Sequence, residues 1–126
     1  MPIPNLDYVL LFVKNPAASA VFYSQILDLS PIEQSPTFAL FALPNGVMLG
    51  LWSRETARPE VVVEGGGGEI CFSDENVDVL YARWKRLGIS MALEPTAMDG
   101  MARTFVALDP DGHRIRVFKL EEATNA

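Results

Sequence analysis

The sequence predicts an α+β fold: two tandem βαβββ modules forming a cupped, mostly antiparallel sheet, with helices on its outer face. Three observations predict it. Apolar runs rich in β-formers are interrupted by two segments of helical periodicity. The order strand, helix, three strands occurs twice, at a spacing of about 60 residues. Turn signals at Asn45-Gly46 and in the Asp109–Gly112 run close strand pairs in the two halves. A single domain over 1–126 is expected, with modules at about 4–54 and 68–120 joined by a linker, 55–67.

LDYVLLFV (6–13) reads as the first strand. Asn15 is a helix N-cap with Pro16 at the first helical position, and the helix runs to about Asp28, burying Ala18, Phe22 and Ile26. Pro31 and Pro36 bracket a short edge strand. TFALFAL and GVMLGLWS flank PNG, and Asn45-Gly46 signals a two-residue hairpin, which sets Phe41 opposite Gly50 and Ala39 opposite Trp52. RETARPEVVVEGGGG (54–68) is a connector made flexible by its glycines. A phosphate cradle is not indicated there: no G-K-[ST] follows, and no helix starts directly after it. EICFS is the fifth strand, and a second helix begins near Asn76 with Val77, Leu80, Tyr81, Trp84 and Leu87 on its apolar face and Gly88 as its stop. SMALEP is a short strand, followed by a loop over 94–102. The strands of ARTFVALDPDGHRIRVF complete the second half, with Asp109 and Asp111 capping the turn and His113 at the surface.

The bulk numbers exclude several classes. The 126 residues, 49% hydrophobic and 21% charged, are those of a globular domain with a real core. A net charge of −6 argues against nucleic acid or an anionic membrane surface as partner. No apolar stretch has the length of a membrane span, and no secretory signal is read at the start, so a cytoplasmic protein is expected. Cys71 is the only cysteine, which rules out an intrachain disulfide and a cysteine-rich zinc site.

LDYVLLFVKNPAASAVFYSQILDL, with its Asn-Pro break and F-Y-x-x-x-L-x-L helix end, and ARTFVALDPDGHRIRVF, with its D-P-D-G hairpin, resemble the vicinal oxygen chelate superfamily. That superfamily holds glyoxalase I, extradiol dioxygenases and the bleomycin and fosfomycin resistance proteins. The resemblance implies the cupped βαβββ fold and, in the metal enzymes, ligands on the first and last strands of each module. Carried over residue by residue, those ligand positions are Tyr8, a position near Gly50, Glu69 and Arg116. Of the four only Glu69 is able to bind a divalent ion, and an arginine in the shell repels one. No metal, cofactor or catalytic residue is therefore assigned.

Strand alternation tests which side chains face the cup. Tyr8 and Phe12 share one side with Leu10; Glu69 and Cys71 share one with Ser73; Arg114, Arg116 and Phe118 oppose Ile115 and Val117. Met48, Gly50 and Trp52 fall on the cup side, joined across the hairpin by Phe41, and Gly50 leaves open space. Arg103 stands at the rim. An aromatic wall with a few charges suits a flat, partly polar aromatic ligand, with Trp52 stacking on its rings and Arg116 pairing a carboxylate or stacking. LGLWS, ARTFVALDPDGHRIRV and the metal-free ligand positions are similar to the phenazine-antibiotic resistance proteins of the same superfamily. That resemblance implies a homodimer that sequesters a planar antibiotic at sites between subunits.

Competing readings stay open at this level. Glu69 and Arg116 also read as an ion pair holding the two modules in register, and Trp52 as plain core. Cys71 reads as packing. An isomerase, lyase or dioxygenase-like enzyme with a displaced site would use Glu69 as base, although a neighbouring arginine depresses its basicity. A dimer with an empty cup is a third reading.

Overall fold

The computed structural model describes residues 3–122. Its elements run β1 (Tyr8–Val13), α1 (Pro16–Leu27), β2 (Glu33–Ser35), β3 (Phe38–Ala42), β4 (Met48–Ser53), β5 (Glu69–Ser73), α2 (Val77–Arg86), β6 (Ser90–Met98), β7 (Met101–Leu108) and β8 (Arg114–Leu120). Contacts divide the chain into two compact units, with the boundary between Val63 and Glu64. Each unit repeats the βαβββ order and forms one four-stranded mixed sheet, β1-β4-β3-β2 in the first and β5-β8-β7-β6 in the second. In both, the first and last strands run parallel and the other neighbours antiparallel. Among the described residues no helix is long and apolar enough to cross a membrane.

In the first unit the predicted cap forms: the Asn15 side chain accepts from the Ala18 amide at 3.1 Å, with Pro16 following. The buried face of α1 is Pro16, Ser19, Ala20, Tyr23 and Ile26. Ala18 is exposed and Phe22 only half-buried, so the expected face is turned by about one residue. The helix is apolar nearly all round, so spacing alone does not select a face. Tyr23 is fully buried, and Phe22 stands edge-on to it with ring centroids 5.0 Å apart.

The hairpin register also differs from expectation. Leu40 lies opposite Gly50 and Phe38 opposite Trp52, whereas Phe41 pairs with Leu49 and Ala39 with Leu51. The loop has three residues, Pro44 to Gly46, not two. The Leu43 amide bonds to the Val47 carbonyl and the Gly46 amide to the Leu43 carbonyl, both at 3.0 Å, with Gly46 at φ +90°. A glycine at positive φ closing a three-residue loop is the next commonest hairpin after the two-residue turn. One extra loop residue moves every β3 side chain to the other face relative to β4. Ala39, Phe41, Leu49 and Leu51, on the strands against which α1 packs, are thus the core together with Val13 of β1, each 0–1% exposed.

In the second unit α2 lays Trp84 and Tyr81 edge-on against Phe105, at 5.3 and 5.5 Å between centroids. Leu87, expected on that face, is 40% exposed. It lies past the last helical residue, where Gly88 turns the chain at φ +82° and Ile89 takes the buried place instead. The segment 94–102, expected as a loop, is mostly strand. β6 continues through Pro95 to Met98, and Asp99-Gly100, both at positive φ, turns directly into β7. Proline is tolerated because β6 is an edge strand.

Candidate functional site

The first unit presents one sheet face away from its core. The parallel register pairs Tyr8 with Met48, Leu10 with Gly50 and Phe12 with Trp52, so these side chains share a face, and Leu40 and Phe38 join them from β3. Phe12 and Trp52 lie with ring centroids 6.1 Å apart and planes tilted by 41°. Trp52, Phe12, Phe38 and Met48 are half-buried, and Tyr8 is 53% exposed. The surface is apolar and largely aromatic.

Two expectations about this face are corrected. Phe41 is fully buried on the opposite, core side, because the three-residue loop shifts its register. Phe38 holds the aromatic place assigned to it. Gly50 does not leave open space: a Cβ there would meet Leu10 Cδ2 at 2.5 Å and Phe38 Cζ at 3.0 Å. The rung where the superfamily resemblance puts a metal ligand is filled by hydrocarbon.

The second unit carries the charges. β5 and β8 pair Glu69 with Arg114, Cys71 with Arg116 and Ser73 with Phe118. Arg116 grips Glu69 with two hydrogen bonds, Nε to Oε1 at 2.8 Å and Nη2 to Oε2 at 3.1 Å. Its remaining nitrogen, Nη1, donates to Thr104 Oγ1 at 3.1 Å and lies 4.0 Å from Met98 Sδ. Thr104 in turn donates to the Val117 carbonyl at 2.9 Å, which fixes the hydroxyl. Arg114 Nη2 reaches the same carboxylate at 2.6 Å, while its Nε is buried without an acceptor among the described residues. Side-chain exposure falls from 42% at Arg114 through 22% at Glu69 to 12% at Arg116.

The electrostatics follow from this geometry. The Arg116 hydrogen bonds hold the Glu69 carboxyl below its usual range; burial opposes them, and Arg114 adds to the lowering. Glu69 reciprocally raises the Arg116 guanidinium further above its already high value. Partial burial of the thiol and the Glu69 charge push Cys71 up from its ordinary value, against a smaller lowering by Arg116. Cys71 is exposed on this face, contrary to its reading as packing.

Glu69 and Arg116 both belong to the second unit, so their pair ties β5 to β8 and does not hold the two modules in register. Arg103 also departs from its expected place at a rim. It lies inside β7 opposite Lys119, on the side of the sheet that faces α2, and its guanidinium forks onto Asp78 with bonds of 3.0–3.3 Å. In the turn after β7 Asp109 caps as expected, its Oδ1 accepting from the amides of Asp111 and His113 at 2.9 and 2.8 Å, whereas His113, expected at the surface, is half-buried. Sequence reasoning set Leu10 and Arg114 on the correct side without giving them a part in the site, and it missed Phe38, Thr104 and Met98. The Asp99-Gly100 pair was the available signal for Met98 and Thr104, since it defines the β6–β7 hairpin. Among the described residues no three His, Cys, Asp or Glu side chains gather into a group able to hold a metal ion.

Residues 5–117 match the family model of the Glyoxalase/Bleomycin resistance protein/Dioxygenase superfamily. The phenazine antibiotic resistance protein EhpR of Enterobacter agglomerans is 33% identical over 122 residues, which cover 94% of this chain and 92% of that one. Among solved structures, protein ATC0852 from Agrobacterium tumefaciens is similar with a TM-score of 0.85 and 46% identity, over 95% of this chain and 100% of that one. A glyoxalase/bleomycin resistance protein/dioxygenase from Nocardioides is similar with a TM-score of 0.82 and 25% identity, over 98% and 88%.

Proposed function

This chain belongs to the glyoxalase/bleomycin resistance protein/dioxygenase superfamily, and on that premise we propose that it binds and sequesters a planar aromatic molecule, such as a phenazine-type antibiotic, without a metal ion. The observation that carries the reading is the Trp52–Phe12 pair, flanked by Phe38 on an otherwise apolar sheet face. Half-buried aromatic rings with an open side offer a fused ring system dispersion and offset stacking without requiring chemistry. The resistance protein from Enterobacter agglomerans supports the ligand class.

An isomerase or lyase using Glu69 as general base fares worse. Both carboxylate oxygens are held by arginines, and the lowered proton affinity makes Glu69 a weak acceptor at neutral pH. The resemblance to resistance proteins also extends the proposal to a homodimer. β1 is an edge strand with Tyr8 and Leu10 exposed along it and Leu6 exposed just before it, the kind of edge that a partner covers. Sedimentation velocity tests that part; a monomer at micromolar concentration removes it.

Titration with a panel of phenazines, followed by tryptophan emission, tests binding. Trp84 is 2% exposed and supplies a nearly constant background, so the response reports Trp52. Saturable quenching that is lost in Trp52→Phe, with the phenazine recovered unchanged, is the expected result. Quenching that survives in Trp52→Phe, or turnover that needs an added metal, overturns the reading.

A further inference from the structure

The glycine run before β5 has an explanation that stops halfway. Gly65 is required by close approach: a Cβ there would lie 2.8 Å from the Asp111 carbonyl oxygen and 2.9 Å from the His113 amide. Gly66 is required by its φ of +111°. Gly67 and Gly68 have neither reason, since a Cβ on either meets nothing within 4 Å and neither has positive φ. What they share is a shallow, wide-open cavity of about 250 Å³, lined by Gly66, Gly67, Gly68, Glu69, Arg114 and Arg116. Among the described residues no backbone carbonyl accepts a hydrogen bond from the amides of Gly66, Gly67 or Gly68. Bare consecutive amides around a positive-φ residue form a concavity that favours anions.

The charges in the wall agree. Two arginines face one carboxylate, so this cavity is locally positive in a chain whose net charge is −6. The arginines are not equivalent. Every nitrogen of Arg116 is committed, to Glu69 on two sides and to Thr104 on the third, and Glu69 cancels its charge. Arg114 spends one nitrogen on Glu69, leaves Nε without an acceptor, and keeps 42% of its side chain exposed. The uncompensated charge and the under-used donors are therefore those of Arg114. Arg116 serves as the brace that holds Glu69 back.

We propose that the cavity formed by Gly66–Gly68 and Arg114 is a binding site for a carboxylate, with Arg114 supplying the charge and the glycine amides the remaining donors. With a net charge of only +1 in the wall, the attraction for a dianion is about twice that for a monoanion, whereas the desolvation cost rises with the square of the charge, which favours a monoanion over a dianion such as phosphate. The run 64–68 is then part of a site and not only a connector. All the groups lie in the second unit, and nothing in the assignment depends on Trp52.

The test is a titration of the full-length ¹⁵N-labelled protein with sodium benzoate, and separately with inorganic phosphate and sodium chloride at matched ionic strength. The expected result is saturable movement of the Gly66–Gly68 amide signals with benzoate. Binding should weaken about tenfold in Arg114→Gln, the scale of losing charge-assisted hydrogen bonds. Unmoved Gly46 and Gly88 signals certify that the variant is folded. Gly67→Ala is the second variant; its Cβ clashes with nothing, so it leaves the fold intact while narrowing the amide face, and it should also weaken benzoate. Movement that chloride reproduces, phosphate saturating where benzoate does not, or benzoate binding unchanged in both variants overturns the proposal.

Discussion

The two units use the same three rungs for opposite chemistry. In the first, the parallel pair of strands sets Tyr8 beside Met48, Leu10 beside Gly50 and Phe12 beside Trp52. In the second, the same rungs hold Glu69 beside Arg114, Cys71 beside Arg116 and Ser73 beside Phe118. One ladder is apolar and aromatic; the other is an ion cluster. Backbone topology decides where these six positions lie, and side chains alone decide what they do. At the rung where Arg116 stands in the second unit, the first has Gly50, and neighbours close over the gap.

Glycines break the comparison most sharply, because the two units spend them differently. Gly65→Ala drives a Cβ into backbone atoms of the 111–113 turn, which has no side-chain freedom with which to yield. It should destabilise by about 3 kcal/mol, the upper end of overpacking costs, in a urea melt. Gly50→Ala meets only the ends of Leu10 and Phe38, and Leu10 is 40% exposed and free to swing aside. Its cost should be near 1 kcal/mol at most. Equal losses at the two sites would mean that the first unit is packed as rigidly as the turn.

The ion cluster comes next. Glu69→Gln leaves Arg114 and Arg116 facing each other with no anion between them, and should cost about 1–2 kcal/mol at pH 7. Its pH dependence sharpens the point. The folded-state pKa of Glu69 lies below its ordinary 4.5, so its stabilisation is fully present above that value and is lost as pH falls through the folded value. Thermal melts of wild type and Glu69→Gln should therefore converge on acidification below pH 4.5. A gap that stays constant into strong acid would show that the carboxylate charge is not what stabilises β5 against β8.

These contrasts also mark what the sequence made legible. The twofold βαβββ order, the Asn15 cap, and the outward side of β5 and β8 were all readable, because local turn and cap chemistry and strict period-two alternation determine them. The face of Phe41 was not. It depends on whether the Pro44–Gly46 loop closes with two residues or three, a difference of one peptide that inverts a whole strand. Nor was the packing at Gly50, because the residues that fill the gap come from two other strands. Arg114 was placed on the right side by alternation. Its difference from Arg116 lies in which nitrogens are already used, and only three-dimensional geometry contains that.

The smallest effect separates geometry from burial. Arg103 and Asp78 form a guanidinium–carboxylate fork like that of Arg116 and Glu69, and the Asp78 carboxyl is likewise lowered, chiefly by its hydrogen bonds to Arg103. The difference is solvent: the side chains are 45% and 63% exposed, against 12% and 22% for the sheltered pair. Water competes for an exposed fork, salt screens it, and ordering two long side chains opposes it. Arg103→Gln should therefore leave the melting temperature within experimental error, in low salt and in molar salt alike. Arg116→Gln, with the same change of side chain, should lower it measurably, and salt should not restore it. Matching losses for the two substitutions would mean that hydrogen-bond geometry, and not shelter from water, sets the strength of both pairs.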